Sequence, residues 1–364
     1  MTDISLKKFY QRQTTLSEIG ERGQEKLQQA KVTIVGCGGL GSVAAIYLAG
    51  SGIGNIHLVD FDVVDVSNLH RQVFYKTEDI GKLKASVLAN YIQSISPFVK
   101  VTFSTDAVSK NNVENVISSS DIILDCTDNL SIKYLLNDVC VLHDKMLVYA
   151  SLYKFDGYVA TFNFQNTGGQ RTTNLRDAFP EIPTEKIPNC SELGTLNTIV
   201  GIIGLMQANE VLKVVAGIGK PLINQLLIYN SLENSQFVMK LKSQFDKKKI
   251  ESIFENESYE TKDCEIDESL EISQSEFKLK LEKPSLNLQV ISVIENENDI
   301  LPIQSVKKVP LSIFQNWIDK QETLNGEIVI ICQRGVMSLT AAKMVKEKFP
   351  LVNVKSLNGG IIAF

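Results

Sequence analysis

Histidine is scarce in this 364-residue chain: His57, His70 and His143 are the only three, and none stands at metal-ligand or triad spacing from another. There is one tryptophan, and the six cysteines are scattered without a Cys-x-x-Cys pair, which excludes a disulfide framework and a zinc ribbon. Basic residues are not in excess. Lys and Arg number 37 against 42 Asp and Glu, a net charge of -5, which argues against nucleic-acid binding through a broad basic face. No apolar run is read as approaching the ~20 residues of a membrane span. The opening segment, Met1 to Lys8, lacks a hydrophobic signal core. The expectation is a cytoplasmic protein with reduced thiols and neither membrane nor nucleic acid as partner.

With 44% hydrophobic residues the chain can bury a large core, and its length suggests two domains or three. Strand-like and helix-like stretches alternate through the first half. Lys31–Val35, Asn55–Asp60, Val99–Ser104, Asp121–Cys126 and Met146–Ser151 read as strands, separated by helical patterns at 42–49, 109–118 and 132–143. Another helix is read before them, over 15–30. Such alternation implies crossover connections and a mostly parallel sheet. Residues 165–189 read as irregular, and helical periodicity returns from Thr195 to Ala216. Residues 251–276 hold ten Asp or Glu against one lysine, which suggests a solvated acidic connector over 244–269. Beyond it lies a second, smaller α/β pattern: helix 273–283, strand Leu288–Val293, strand Glu327–Ile331 and helix Leu339–Phe349.

Gly36, Gly38 and Gly41 satisfy G-x-G-x-x-G between a strand and a helix, where missing side chains let backbone N–H groups approach a phosphate. Asp60 ends the second strand at the ~20-residue distance where a carboxylate meets ribose hydroxyls. That much would suit a dinucleotide. However, Ser67-Asn-Leu-His-Arg-Gln72 and Gly81-Lys-Leu-Lys84 add cations and amides, and Asp125-Cys-Thr-Asp-Asn129 adds carboxylates at another strand end. Arg71, Lys84 and Asp128 form the set that a triphosphate with Mg²⁺ requires.

Residues 1–242 resemble the E1-like adenylyltransferases, the ThiF/MoeB/HesA family and the activating enzymes of ubiquitin-like proteins. The matching blocks are Tyr10-Gln-Arg-Gln13, VTIVGCGGLGSVAA (32–45), GNIHLVDFDVVDVSNLHRQ (54–72), IGKLKA (80–85), DCTDN (125–129) and GIIGLMQANEVLK (201–213). The resemblance implies an α/β fold, Rossmann-like with a mixed sheet, over 1–243. It also implies adenylation of the C-terminal glycine of a small ubiquitin-like sulfur carrier ending in Gly-Gly, leading to its thiocarboxylate. By position, the ATP-binding set would be Gly36, Gly38, Gly39, Gly41, Asp60, Asp62, Ser67, Asn68, Arg71, Gln72, Lys84, Asp128 and Asn129, with Asp128 on Mg²⁺. Arg12 would reach the ATP of a partner subunit, which implies a homodimer. Alternative readings are adenylation of another substrate such as a tRNA base, an NAD-binding protein, or a nucleotide-binding scaffold. Which carrier and pathway are served (thiamine, molybdopterin, cysteine or tRNA thiolation) is left open.

Two cysteines stand out. Cys190, in Ile187-Pro-Asn-Cys-Ser-Glu192, precedes a helix, where a thiol pKa can fall. In the resembled family a cysteine here bonds to the activated carrier. Cys332 ends a strand in Ile328-Val-Ile-Ile-Cys-Gln-Arg-Gly-Val-Met-Ser338, a tight loop whose N–H groups can hold a sulfur anion. That loop and Leu357-Asn-Gly-Gly-Ile361 resemble the blocks of rhodanese domains, which implies a small rhodanese-like α/β domain over 270–364 fed by a cysteine desulfurase. Met337 stands where arginine is usual, and Ile291-Ser-Val-Ile294 replaces the usual Asp-x-Arg strand. Cys37, Cys126 and Cys140 are read as packing. Many members of the resembled family bind structural zinc through two Cys-x-x-Cys pairs. Here Asn174 and Asp177 occupy the first pair and Cys264 is alone near the second, so no zinc is expected.

Overall fold

The computed structural model describes residues 5–183, 194–259, 270–282, 287–294, 301–303, 305–321, 323–333 and 335–361. The chain divides into two compact units, Met1–Thr261 and Lys262–Phe364.

The first unit is built on one sheet of eight strands in the order β3-β2-β1-β4-β5-β6-β7-β8. β1 (Lys31–Val35), β2 (Asn55–Val59), β3 (Lys100–Ser104), β4 (Ile122–Asp125) and β5 (Met146–Tyr153) run parallel. β6 (Asp156–Phe162), β7 (Gln225–Asn230) and β8 (Ser235–Lys240) continue the sheet antiparallel. The central strands are apolar on both faces because helices cover both. Gly20–Gln29, Gly39–Gly50, Lys84–Ile95 and Asn197–Ala216 share a core with Ile34, Leu58 and Leu124 on one face. Val113–Ser118 and Leu130–Leu142 share the other with Val35, Ile123 and Leu147.

Three expectations change. Asn197–Ala216 is 20 residues long with a mean hydropathy of 1.6, so among the described residues one helix is long and apolar enough to cross a membrane. Its place in the fold explains that composition: it packs between the helix Gly39–Gly50 and strands β5 and β6. Its buried Glu210 accepts hydrogen bonds from Thr161 Oγ1 (2.9 Å) and Leu222 N (2.7 Å). The acidic connector also begins later than its composition suggests. Asp246 caps a helix, Lys247–Asn256, that docks on Leu130–Leu142 and buries Ile250. Tyr259 is buried just beyond it, so 244–259 belong to the first unit. Within the segment read as irregular, Leu175–Ala178 forms one helical turn.

The second unit has a parallel five-stranded sheet in the order β11-β10-β12-β13-β9. Its strands are β9 (Glu271–Ile272), β10 (Leu288–Ser292), β11 (Val306–Lys308), β12 (Glu327–Ile331) and β13 (Asn353–Leu357). Helices Gln274–Glu282, Leu311–Asp319 and Val336–Lys348 lie in the connections.

Candidate active site

Val35 at the end of β1 is level with Val59 in β2 and with Asp125 in β4. The chain goes one way from β1 to β2 and the other way to β4, so a crevice opens beyond these strand ends. Gly36 N donates to Val59 O and Cys126 N donates to Val35 O, both at 2.9 Å, which draws the three emerging loops together. Gly36 has φ +93°, and a Cβ there would lie 2.7 Å from Cys126 O. A Cβ on Gly41 would lie 1.8 Å from Gly36 O. These two glycines serve the turn and the close approach of helix to loop. Gly38 and Gly39 border the crevice, as Gly36 also does, at the start of a helix whose Gly38 N-cap has no side chain to engage the first N–H groups; a Cβ on Gly39 would lie 2.2 Å from Val200 Cγ1.

The crevice has a volume of about 1270 Å³. Gly36, Gly38, Gly39, Asp60, Asp62, Arg71, Gln72, Lys84, Asp128 and Asn129 all line it. Gly41, Ser67, Asn68 and Arg12 do not. Asp60 Oδ2 accepts from Cys37 N at 2.6 Å and Oδ1 from Asp62 N at 2.8 Å, so this carboxylate fastens the glycine loop to β2. Burial pushes its pKa up from the usual carboxylate range, against those two N–H groups and Lys84. Lys84 is 4% exposed, with Nζ 3.0 Å from Asp62 Oδ2. Ser67 has a supporting place: its carbonyl accepts from the Arg71 guanidinium at 2.9 Å. Gln72 is 5% exposed, and its Oε1 has no hydrogen-bond partner among the described residues. A Cβ on Gly38 would lie 3.4 Å from its Nε2, so an unsatisfied amide borders the unsubstituted backbone. Asn129 Oδ1 caps the helix Leu130–Leu142 through Ile132 N at 3.1 Å.

Two buried side chains that hold the strand end beside the crevice were not singled out from the sequence. Lys133 is buried and lines the crevice, with Nζ 3.1 and 3.2 Å from the two oxygens of Asp125 and 2.7 Å from Ala150 O. Asp125 Oδ1 also accepts from Thr127 N (3.1 Å) and Thr127 Oγ1 (2.7 Å), which shapes the loop to Asp128. Gln207 donates to Asp125 O at 2.8 Å and to Val148 O at 3.2 Å from the opposite face of the sheet. The signal for Lys133 was a lone cation in an otherwise apolar stretch, which calls for a buried partner.

Cys37, Cys126 and Cys140 are buried, and burial pushes all three thiols up. Cys190 and Cys264 lie outside the described residues. Cys332, at the end of β12, is 1% exposed, and its sulfur accepts from Gly335 N at 3.1 Å and Ser338 N at 3.3 Å. Ile361 N donates to Cys332 O at 2.9 Å, so the two rhodanese-like blocks meet around this thiol. Asn174 and Asp177 do not suit a zinc ion. The Asn174 side chain caps its own helical turn, and Asp177 Oδ1 accepts from Gln244 N (2.6 Å) and Phe245 N (3.0 Å). Among the described residues no cluster of three or more His, Cys, Asp or Glu has a metal-holding arrangement.

A doubly covered α/β sheet with a glycine loop, a strand-end aspartate and cations over the switch point defines a nucleotide-binding protein. The chain belongs to the ThiF family, whose pattern matches residues 10–250. It is 40% identical over 227 residues to the sulfur carrier protein adenylyltransferase of Thermus thermophilus, covering 62% of this chain and 84% of that one. It is 32% identical over 366 residues to the probable adenylyltransferase/sulfurtransferase MoeZ of Mycobacterium tuberculosis, covering 98% and 92%. Among solved structures, E. coli MccB with MccA-N7isoASN matches with a TM-score of 0.58 at 21% identity, over 66% of this chain and 74% of that one. MccB with ATP matches with a TM-score of 0.54 at 23% identity, over 62% and 67%. These structures share the fold of the first unit.

Replacing Lys133 with Met strands the Asp125 carboxylate. Lys133→Met should cost about 3–5 kcal/mol in urea unfolding, and Asp125→Asn in the same chain should recover part of that. Equal stability of wild type and single variant would remove the pair from this role.

Proposed function

We propose that this protein uses ATP to adenylate the C-terminal glycine of a small ubiquitin-like sulfur-carrier protein, and that the acyl adenylate becomes a thiocarboxylate. The observation that carries this reading is the content of one crevice. Arg71, Lys84 and Asp128 line it beside the bare backbone of Gly38 and Gly39, and it continues past Tyr149, Tyr153, Tyr158 and Phe179. One end suits a triphosphate, and the other has length for a slender Gly-Gly tail. ThiF membership and the names of the relatives support the same activity.

The chemistry demands little of the protein beyond placement and charge neutralisation. A carboxylate oxygen of the carrier's terminal glycine bonds to the α-phosphorus, the bond to the bridging oxygen breaks, and pyrophosphate leaves with that electron pair. No proton moves, so no general base is needed. Arg71 and Lys84 offset charge on the phosphates, the first N–H groups of Gly39–Gly50 add partial positive charge, and Asp60 meets the ribose. Asp128 would hold Mg²⁺, which, when bound, neutralises phosphate charge. One carboxylate fits, because phosphate oxygens and water complete the shell of this ion.

Sulfur enters in a second stage. The outer sulfur of a persulfide bonds to the acyl carbon as AMP leaves, giving an acyl disulfide. A thiolate then attacks the inner sulfur, the S–S bond breaks to release the carrier thiocarboxylate, and the disulfide left behind is reduced by a low-molecular-weight thiol. Cys332 is the persulfide carrier on this reading, supplied by a cysteine desulfurase, and its backbone N–H donors suit a sulfur anion. Cys190 is the partner for an acyl-disulfide intermediate. The assembly proposed is a homodimer: Arg12 is exposed and outside its own crevice, and exposed Val66 and Val73 flank Arg71.

Asp128→Ala should lower carrier-dependent ATP–pyrophosphate exchange by about a hundredfold or more while the Tm stays near that of wild type. Exchange near the wild-type rate would remove Asp128 from the site. Cys190→Ala and Cys332→Ala should both retain exchange yet form little carrier thiocarboxylate by mass spectrometry with a physiological sulfur donor. Wild-type yield from Cys332→Ala would make the second unit a docking or relic domain.

A further inference from the structure

Around Cys332 the backbone donors are joined by two hydroxyls. Ser338, in the first turn of the helix Val336–Lys348, and Ser356, on β13, are both fully buried, so no water competes for either. Ser338 Oγ lies 3.3 Å from Cys332 Sγ, 2.9 Å from Gly335 O and 2.9 Å from Ser356 Oγ. Ser356 Oγ lies 3.3 Å from the same Gly335 O, which already accepts from Leu339 N at 3.1 Å. A carbonyl oxygen has two lone pairs, and a hydroxyl has one hydrogen to donate. Gly335 O therefore takes one of the two serines at a time, and Ser338 can donate to only one of its three neighbours.

We propose that Ser338 and Ser356 form a hydroxyl relay that lets the Cys332 loop hold either a neutral thiol or a sulfur anion with its heavy atoms fixed. With the thiol, Ser338 donates to Gly335 O and accepts from the S–H, while Ser356 donates to Ser338. With the anion, Ser338 turns its hydrogen to the sulfur and Ser356 takes its place on Gly335 O. Only two O–H bonds rotate. Gly335 N and Ser338 N, at 3.1 and 3.3 Å, face the sulfur in both states. The donors are thus in place before charge develops, and at a sulfur 1% exposed they act more strongly than they would in water. Ser356 makes its contacts to Ser338 and Gly335, so it is a positioning residue that acts through Ser338. Its part in sulfur transfer rests on the proposed use of Cys332 as the persulfide carrier.

Thiosulfate and cyanide test the relay in the full-length protein without carrier or ATP. The Cys332 thiolate attacks the outer sulfur of thiosulfate and sulfite leaves with the bonding pair. Cyanide then takes the outer sulfur of the persulfide as thiocyanate, which restores the thiolate. Ser356→Ala should lower kcat by about three- to tenfold, with the KM for thiosulfate within about twofold and the Tm near that of wild type. Ser338→Ala should lower kcat at least as far, and adding Ser356→Ala to that variant should change nothing more. Full kcat in Ser356→Ala, or a further loss in the double variant, overturns the relay. Thiocyanate formed no faster by wild type than by Cys332→Ala would count against Cys332 as the persulfide carrier. The infrared S–H band of Cys332, identified as the one lost in Cys332→Ala, then decides the relay by itself. Ser338→Ala should move that band to higher wavenumber, and Ser356→Ala should move it only while Ser338 is present. A band that stays in place in Ser338→Ala, or that Ser356→Ala moves in both backgrounds, overturns it.

Discussion

Asp125 ends β4 with no exposure to solvent, and Lys133 in the following helix sets its ammonium between both carboxylate oxygens and the carbonyl of Ala150. An unpaired carboxylate at that depth would be costly, so the pair fixes where the helix Leu130–Leu142 can sit on the sheet. The consequences run outward from there. Asp125 shapes the turn to Asp128 through Thr127, and Gln207 holds its carbonyl from the opposite layer. Tyr149 on β5 brings its ring within 5.2 Å of the same ammonium. These partners fix the geometry of the crevice floor.

On that floor the glycine loop divides its work. Gly36 and Gly41 are required by the protein's own backbone and Gly39 by the close approach of Val200, whereas Gly38 leaves open surface at the crevice. Asp60 joins the two roles: it anchors the loop through Cys37 N and faces the crevice. The same economy appears in the second unit, where the positive φ of Gly335 turns its N–H and that of Ser338 toward Cys332. Both sites are built from backbone donors past the end of a parallel strand.

The parallel strands β1, β4 and β5 were legible because burial on both faces leaves nearly unbroken apolar runs. The edge was less so. β8 is exposed along almost its whole length, so its side chains carry no alternation to read. β9 has two residues and β11 three, too few for any pattern. The acidic stretch hid an amphipathic helix because the apolar positions of Lys247–Asn256 are few and its charges many. In the site, Asp60, Arg71, Lys84 and Asp128 stood out by type and spacing. Lys133 did not, since a buried charge gives no sign in sequence of which group will meet it.

The central claim is that a carrier carboxylate attacks the α-phosphorus of ATP in the crevice above β1 and β4. It is tested most directly with a carrier whose C-terminal carboxylate is labelled with ¹⁸O. Attack at the α-phosphorus makes a labelled oxygen the bridge of the acyl adenylate, and cleavage at the acyl carbon then releases that oxygen with the nucleotide. The account predicts AMP carrying ¹⁸O. Unlabelled AMP, or label recovered in inorganic phosphate, would contradict it.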